Sequence, residues 1–103
     1  MRFFNTMTRA KEEFTPVHDG EVRLYTCGPT VYSRIHIGNF KTFLFEDILV
    51  RYFIYKGYKV KQVMNITDID DKTIRTSRQR NTPLKEVTDP YIELFHRDRK
   101  ALH

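Results

Sequence analysis

Thirteen residues, Cys27 to Asn39, gather most of the groups in this chain that could do chemistry together. They read Cys-Gly-Pro-Thr-Val-Tyr-Ser-Arg-Ile-His-Ile-Gly-Asn and include the only cysteine. Cys27 could offer a thiolate to a soft metal, or pack as a small apolar side chain at the end of a strand. His36 can donate a hydrogen bond to a phosphoryl oxygen, or a charge when protonated. Near a helix start it can equally serve as a cap or a packing group. Asn39 can donate through its amide but carries no charge. Gly38 lacks a Cβ and admits the close approach of a flat ligand or of backbone. Thr30 and Gly28 share the same loop, where Pro29 fixes φ and favours a turn.

These groups need elements to hold them. Glu21 to Thr26 alternates in a β-rich manner after the Asp19-Gly20 turn and reads as a strand. Phe40 to Gly57 reads as an amphipathic helix, with Phe40, Phe43, Leu44, Ile48, Tyr52 and Tyr55 as its core face and Gly57 as its stop. Tyr58 to Met64 reads as a second strand. Strand, helix and strand in this order predict a right-handed βαβ unit with parallel strands, half of a Rossmann-like nucleotide-binding sheet. In such sheets ligands bind beyond the carboxyl ends of the strands, facing a helix N-terminus whose unpaired N–H groups and partial positive charge attract phosphate.

Asn65 to Lys72 forms the next strand-to-helix turn. Thr67 or Asp68 is expected to cap a helix from near Ile69 to about Arg80, with Thr67-x-x-Asp70 approximating a capping box. Asp70, Asp71 and Lys72 then form a solvated first turn. Thr82-Pro83 and Asp89-Pro90 have the pattern of helix starts. Leu84 and Val87 predict one short turn, Tyr91, Leu94, Phe95 and Leu102 another helical face, and Pro90 a break or kink between them. Upstream, Phe3, Phe4 and Met7 predict a short strand or a packing arm.

At 103 residues the chain is one small domain at most. A hydrophobic content of 40% argues against disorder. No apolar run approaches the roughly 18 residues needed to span a membrane. The opening Met-Arg-Phe-Phe-Asn-Thr has no signal-peptide core. A single cysteine excludes an internal disulfide, and a reducing cytoplasmic setting is expected. The formal charge of +5 suits a polyanion such as tRNA, but 13 acids interrupt the 18 Lys and Arg residues, so the charges also read as solvated faces.

His36-Ile37-Gly38-Asn39 resembles the His-Ile-Gly-His signature of class I aminoacyl-tRNA synthetases, with Asn39 standing where the second histidine is usual. Cys27-Gly-Pro-Thr-Val-Tyr32 and Asn65-Ile-Thr-Asp-Ile-Asp-Asp-Lys72, in the same order and spacing, resemble cysteinyl-tRNA synthetases specifically, from about Phe3 to the last residue. The resemblance implies an α/β fold, with residues 1–103 as the N-terminal half of the catalytic domain and the remaining half and the anticodon-binding domain absent. It implies ATP-dependent activation of L-cysteine to cysteinyl-adenylate, then transfer to tRNA(Cys), with Mg2+ accompanying ATP. It assigns His36 and Asn39 to stabilising the α-phosphate during attack. His36, Gly38, Asn39 and Thr30 would bind ATP, and Gly28 and Thr67 the amino acid. Thr67 and Asp68 remain open between capping and substrate contact. Cys27 would be one of four Zn2+ ligands, the metal selecting a thiol over the hydroxyl of serine. The other three ligands lie downstream in the family, and His96 and His103 are not at matching positions, so the zinc site is incomplete here. No Lys-Met-Ser-Lys-Ser motif occurs, so the chain alone is expected to be inactive. Two alternatives stand beside this reading: a cysteine ligase of mycothiol synthesis, and a short non-catalytic paralogue acting as a binding module.

Overall fold

The computed structural model describes residues 1–102. His103 lies outside the described residues. The element order is β1 (Arg2–Asn5), β2 (Ala10–Glu13), β3 (Glu21–Thr26), α1 (Ile37–Tyr55), β4 (Lys59–Met64), α2 (Asp71–Arg80) and α3 (Leu84–Lys100). β1 and β2 form an antiparallel hairpin, with Arg2 opposite Glu13 and Asn5 opposite Ala10. β3 and β4 pair in parallel, from Glu21 opposite Lys59 to Thr26 opposite Met64. The expected strand, helix and parallel strand are therefore present.

α1 begins three residues before the predicted Phe40, because His36 caps it with its own side chain. Its inner face is also not the predicted one. Phe40 and Phe53 are buried there, together with Glu46. Of the predicted core face, Phe43 is half-buried. Leu44, Ile48, Tyr52 and Tyr55 are exposed, Ile48 at 63% and Tyr55 at 84%. The physical reason is that α1 is apolar on both sides, so periodicity alone could select the wrong stripe. A helix that is apolar all round belongs in an interior.

Two aromatic clusters hold α1 near its ends. Phe3 and Phe14 pack on Phe53, with ring centroids 6.0 and 5.2 Å away, and Tyr58 closes the group at 6.0 Å from Phe53. This makes the β1–β2 hairpin a packing arm through Phe3, while Phe4 and Met7 stay exposed. At the other end Phe40 and Phe43 meet Phe95 of α3 at 6.4 and 5.4 Å.

Two expectations for the second half are corrected. α2 starts at Asp71 rather than Ile69, and Asp70 is its N-cap. The capping box is Asp70 with Thr73, Asp70 having the extended backbone of a cap (φ −155°, ψ 160°). The Lys72 N–H donates to the Asp70 carboxylate at 2.9 Å, and the Asp70 N–H donates to Thr73 Oγ1 at 2.9 Å. Pro90 does not break the last region, which is one helix from Leu84 to Lys100. Burial of Val87, Thr88 and Phe95 on either side of the proline holds the helix together. Pro90 and Glu86 are exposed, so water can satisfy the carbonyl left without a donor.

The radius of gyration is 17.0 Å, against about 13 Å for a compact domain of roughly 100 residues. The elements are spread over 50 × 32 × 24 Å rather than closed around one core.

Candidate functional site

The loops following β3 and β4 are tied to each other. The Val31 N–H donates to the Thr67 carbonyl at 3.1 Å, and the Thr67 N–H donates to the Pro29 carbonyl at 2.9 Å. Asn65, at the end of β4, completes the tie. Its Oδ1 accepts from the Gly28 N–H at 3.0 Å, and its Nδ2 donates to Thr67 Oγ1 at 3.0 Å. The loops approach so closely that a Cβ on Gly28 would lie 1.8 Å from the Asn65 carbonyl oxygen.

This braced pair of loops forms one wall of an open cleft of about 360 Å³ at the carboxyl ends of β3 and β4. Cys27, Gly28, Thr30, His36 and Asn39 all line it. Gly38 and Thr67 do not. Gly38 is occupied in the cap, and Thr67 stands behind the loop as a brace. Lys72 also lines it, with its Nζ 5.3 Å from the centre of the Tyr32 ring, where a cation is attracted to the ring face. Thr42 and Phe43 of α1 complete the floor.

The Gly38 N–H donates to His36 Nδ1 at 3.1 Å. An accepting Nδ1 carries no proton, so in this geometry His36 presents Nε2–H as its donor. The Asn39 N–H and the Phe40 N–H both turn back to the His36 carbonyl, at 2.9 and 3.3 Å. Two of the N–H groups expected to be open at the start of α1, those of Gly38 and Asn39, are thus already paired, and the side chains of His36 and Asn39 are among the donors lining the cleft. Cys27 is exposed, with its Sγ 3.8 Å from the Gly28 carbonyl. Among the described residues no three His, Cys, Asp or Glu side chains come together to hold a metal. One thiolate does not retain zinc by itself.

Sequence reasoning placed Lys72 in a solvated first turn, whereas it lines the cleft, and it missed the bracing role of Asn65. The signal for Asn65 was its place just after β4, whose last residue, Met64, pairs with Thr26 at the end of β3. For Lys72 the signal was a cation in the first turn of α2, where the helix dipole offers it nothing.

A sequence model of the tRNA synthetases class I (C) catalytic domain matches residues 13–103. The chain belongs to that family. Relatives named cysteine–tRNA ligase match it along nearly its whole length. The protein from Chlamydia pneumoniae is 54% identical over 98% of this chain, and that from Chlamydia trachomatis serovar D is 52% identical over 97%. The protein from Methanosarcina mazei is 57% identical over 92%. The chain spans about a fifth of the length of these relatives. Every cleft-lining residue lies inside the stretch that the synthetase family model matches. No helix among the described residues is long and apolar enough to cross a membrane.

Proposed function

We propose that this cleft is the ATP and L-cysteine site of a cysteine–tRNA ligase, and that residues 1–103 supply the first half of its Rossmann-like catalytic domain. The observation that carries the reading is the meeting of Cys27, Thr30, His36 and Asn39 in one cleft, beyond the ends of parallel strands and before a helix. That is where α/β sheets bind nucleotides. The reaction would join the cysteine carboxylate to the α-phosphorus of ATP, releasing pyrophosphate, and then pass the cysteinyl group to tRNA(Cys). Charge grows on the α-phosphate oxygens during attack. His36 Nε2–H and the Asn39 amide are preorganised donors for it, and Mg2+ would accompany the nucleotide. Asn39 acts here as an uncharged donor beside His36. Gly28 and Thr67 shape the amino-acid side of the cleft through the loop they brace. Cys27 contributes at most one ligand to a zinc site, and no step is drawn through the metal. An exposed, unpaired cysteine suits the reducing cytoplasm.

The extended shape and the bare face of α1 support the view that catalysis draws on further polypeptide. The test is ATP–pyrophosphate exchange driven by L-cysteine, on this chain and on any longer product of the same gene. Exchange by the longer product alone is expected. Absence of cysteine-driven exchange in both would overturn the assignment. Exchange by the short chain would refute the need for a second half.

A further inference from the structure

α2 packs on α3 and turns its other side to solvent. The exposed side carries Asp71, Lys72, Arg75, Arg78 and Gln79, with Arg80 at the helix end. Among the described residues, none of these four cations is in an ion pair. Several other guanidiniums of the chain are engaged: Arg34 with Asp98 at 3.3 Å, Arg51 with Asp47 at 2.6 Å and Arg23 with Glu21 at 2.5 Å. One acid, Asp71, shares the exposed side, at the end where the helix dipole favours it. No large apolar side chain of α2 is exposed. A protein-docking surface needs an apolar centre, and this one has none. The row also has a direction. Lys72 lines the cleft, and Arg75 and Arg78 follow at intervals of one turn. At 1.5 Å per residue, Lys72 to Arg78 covers about 9 Å, a length over which a nucleic-acid duplex exposes about five phosphates.

We propose that the exposed face of α2, carrying Arg75 and Arg78 with Arg80 at its C-terminal end, is a contact surface for the phosphate backbone of the RNA whose end enters the cleft at Lys72. The inference rests on reading the cleft as the site of a tRNA ligase. Guanidinium forks match phosphate oxygens in pairs, and a row of them fixes the position of a strand without reading its bases. The competing explanation for Arg78 and Arg80 is that they merely complement the C-terminal end of the helix dipole. It does not account for Arg75 in the middle of α2, nor for the alignment with the cleft.

The test uses the complete natural polypeptide and an unmodified tRNA(Cys) transcript, with affinity measured between about 50 and 200 mM salt. Three proteins are compared: wild type, Arg75→Ala/Arg78→Ala/Arg80→Ala, and the corresponding triple lysine variant. Alanine is the best helix former, so the alanine variant keeps α2. It should bind on the order of tenfold more weakly or worse at low salt, with a salt slope shallower by about two to three. The lysine variant should keep the slope. Cysteine-driven ATP–pyrophosphate exchange, run without RNA, should be unchanged in all three. Wild-type affinity and slope in the alanine variant would overturn the proposal. So would an equal flattening of the salt slope in the lysine variant, since lysine keeps the charge that releases counterions. Failure of exchange in the wild type would refute the cleft assignment instead, and the slope comparison would still report on α2.

Discussion

His36 does two jobs with two nitrogens. Nδ1 caps α1 by accepting from the Gly38 N–H, and Nε2 is left as the donor toward the cleft. The two jobs separate by substitution. His36→Asn keeps a side-chain cap and removes the distal donor, while His36→Ala removes both. Both should lower cysteine-driven exchange by about 10²- to 10³-fold in the active polypeptide. Only the alanine variant should also lose about 1 kcal/mol of stability, read from denaturant midpoints. Gly28 sets a harder limit. An alanine there drives its Cβ into the Asn65 carbonyl, which is backbone and cannot swing aside. Gly28→Ala should cost about 3 kcal/mol or more, seen as loss of the folded baseline in thermal melts. The chemistry of His36, Asn39 and Cys27 was legible in the sequence because residue type carries it. The bracing role of Asn65 was not, since it depends on β3 and β4 ending in register, which brings Asn65 to Gly28, 37 residues away in the chain.

At the scale of elements, β3, β4 and the end of α2 fall where the sequence pattern placed them. Their alternation, Gly57 and the turn at Asp19-Gly20 are local signals, and local signals survive folding. The inner face of α1 and the continuity of α3 are set by packing instead. α1 presents apolar residues on both sides, and the buried one includes Glu46, 8% exposed with one carboxylate oxygen that has no hydrogen-bond partner among the described residues. A buried unpaired oxygen costs free energy that a thioether of similar length does not. Glu46→Met should therefore raise stability by about 1–3 kcal/mol, measured by urea unfolding. In α3, Pro90→Ala restores a donor to the Glu86 carbonyl and removes a ring clash. The expected gain is at most about 3 kcal/mol, lessened because proline also restricts the unfolded chain.

Over the whole molecule, aromatic contacts connect pieces that local patterning treats separately. Phe3 and Phe14 bring the N-terminal hairpin onto Phe53, and Phe95 brings α3 onto Phe40 and Phe43. None of these pairings follows from spacing along the chain. They leave an outward stripe on α1 with Phe45 at 66% and Ile48 at 63% exposed. Such a stripe favours association of the isolated chain. Phe45→Lys together with Ile48→Lys should shift its sedimentation toward the monomer while leaving the unfolding midpoint nearly unchanged. An unaltered sedimentation profile would mean that the stripe is not the sticky surface.

The bare stripe also bears on biosynthesis. In a polypeptide as long as the relatives, these residues leave the ribosome while about four fifths of the chain is still to be made. At roughly 5–20 residues per second, the stripe on α1 would wait on the order of a minute before late-made segments could shield it. A nascent chain with that profile is a natural client for holding chaperones, and slower translation downstream would lengthen the interval in which it needs them.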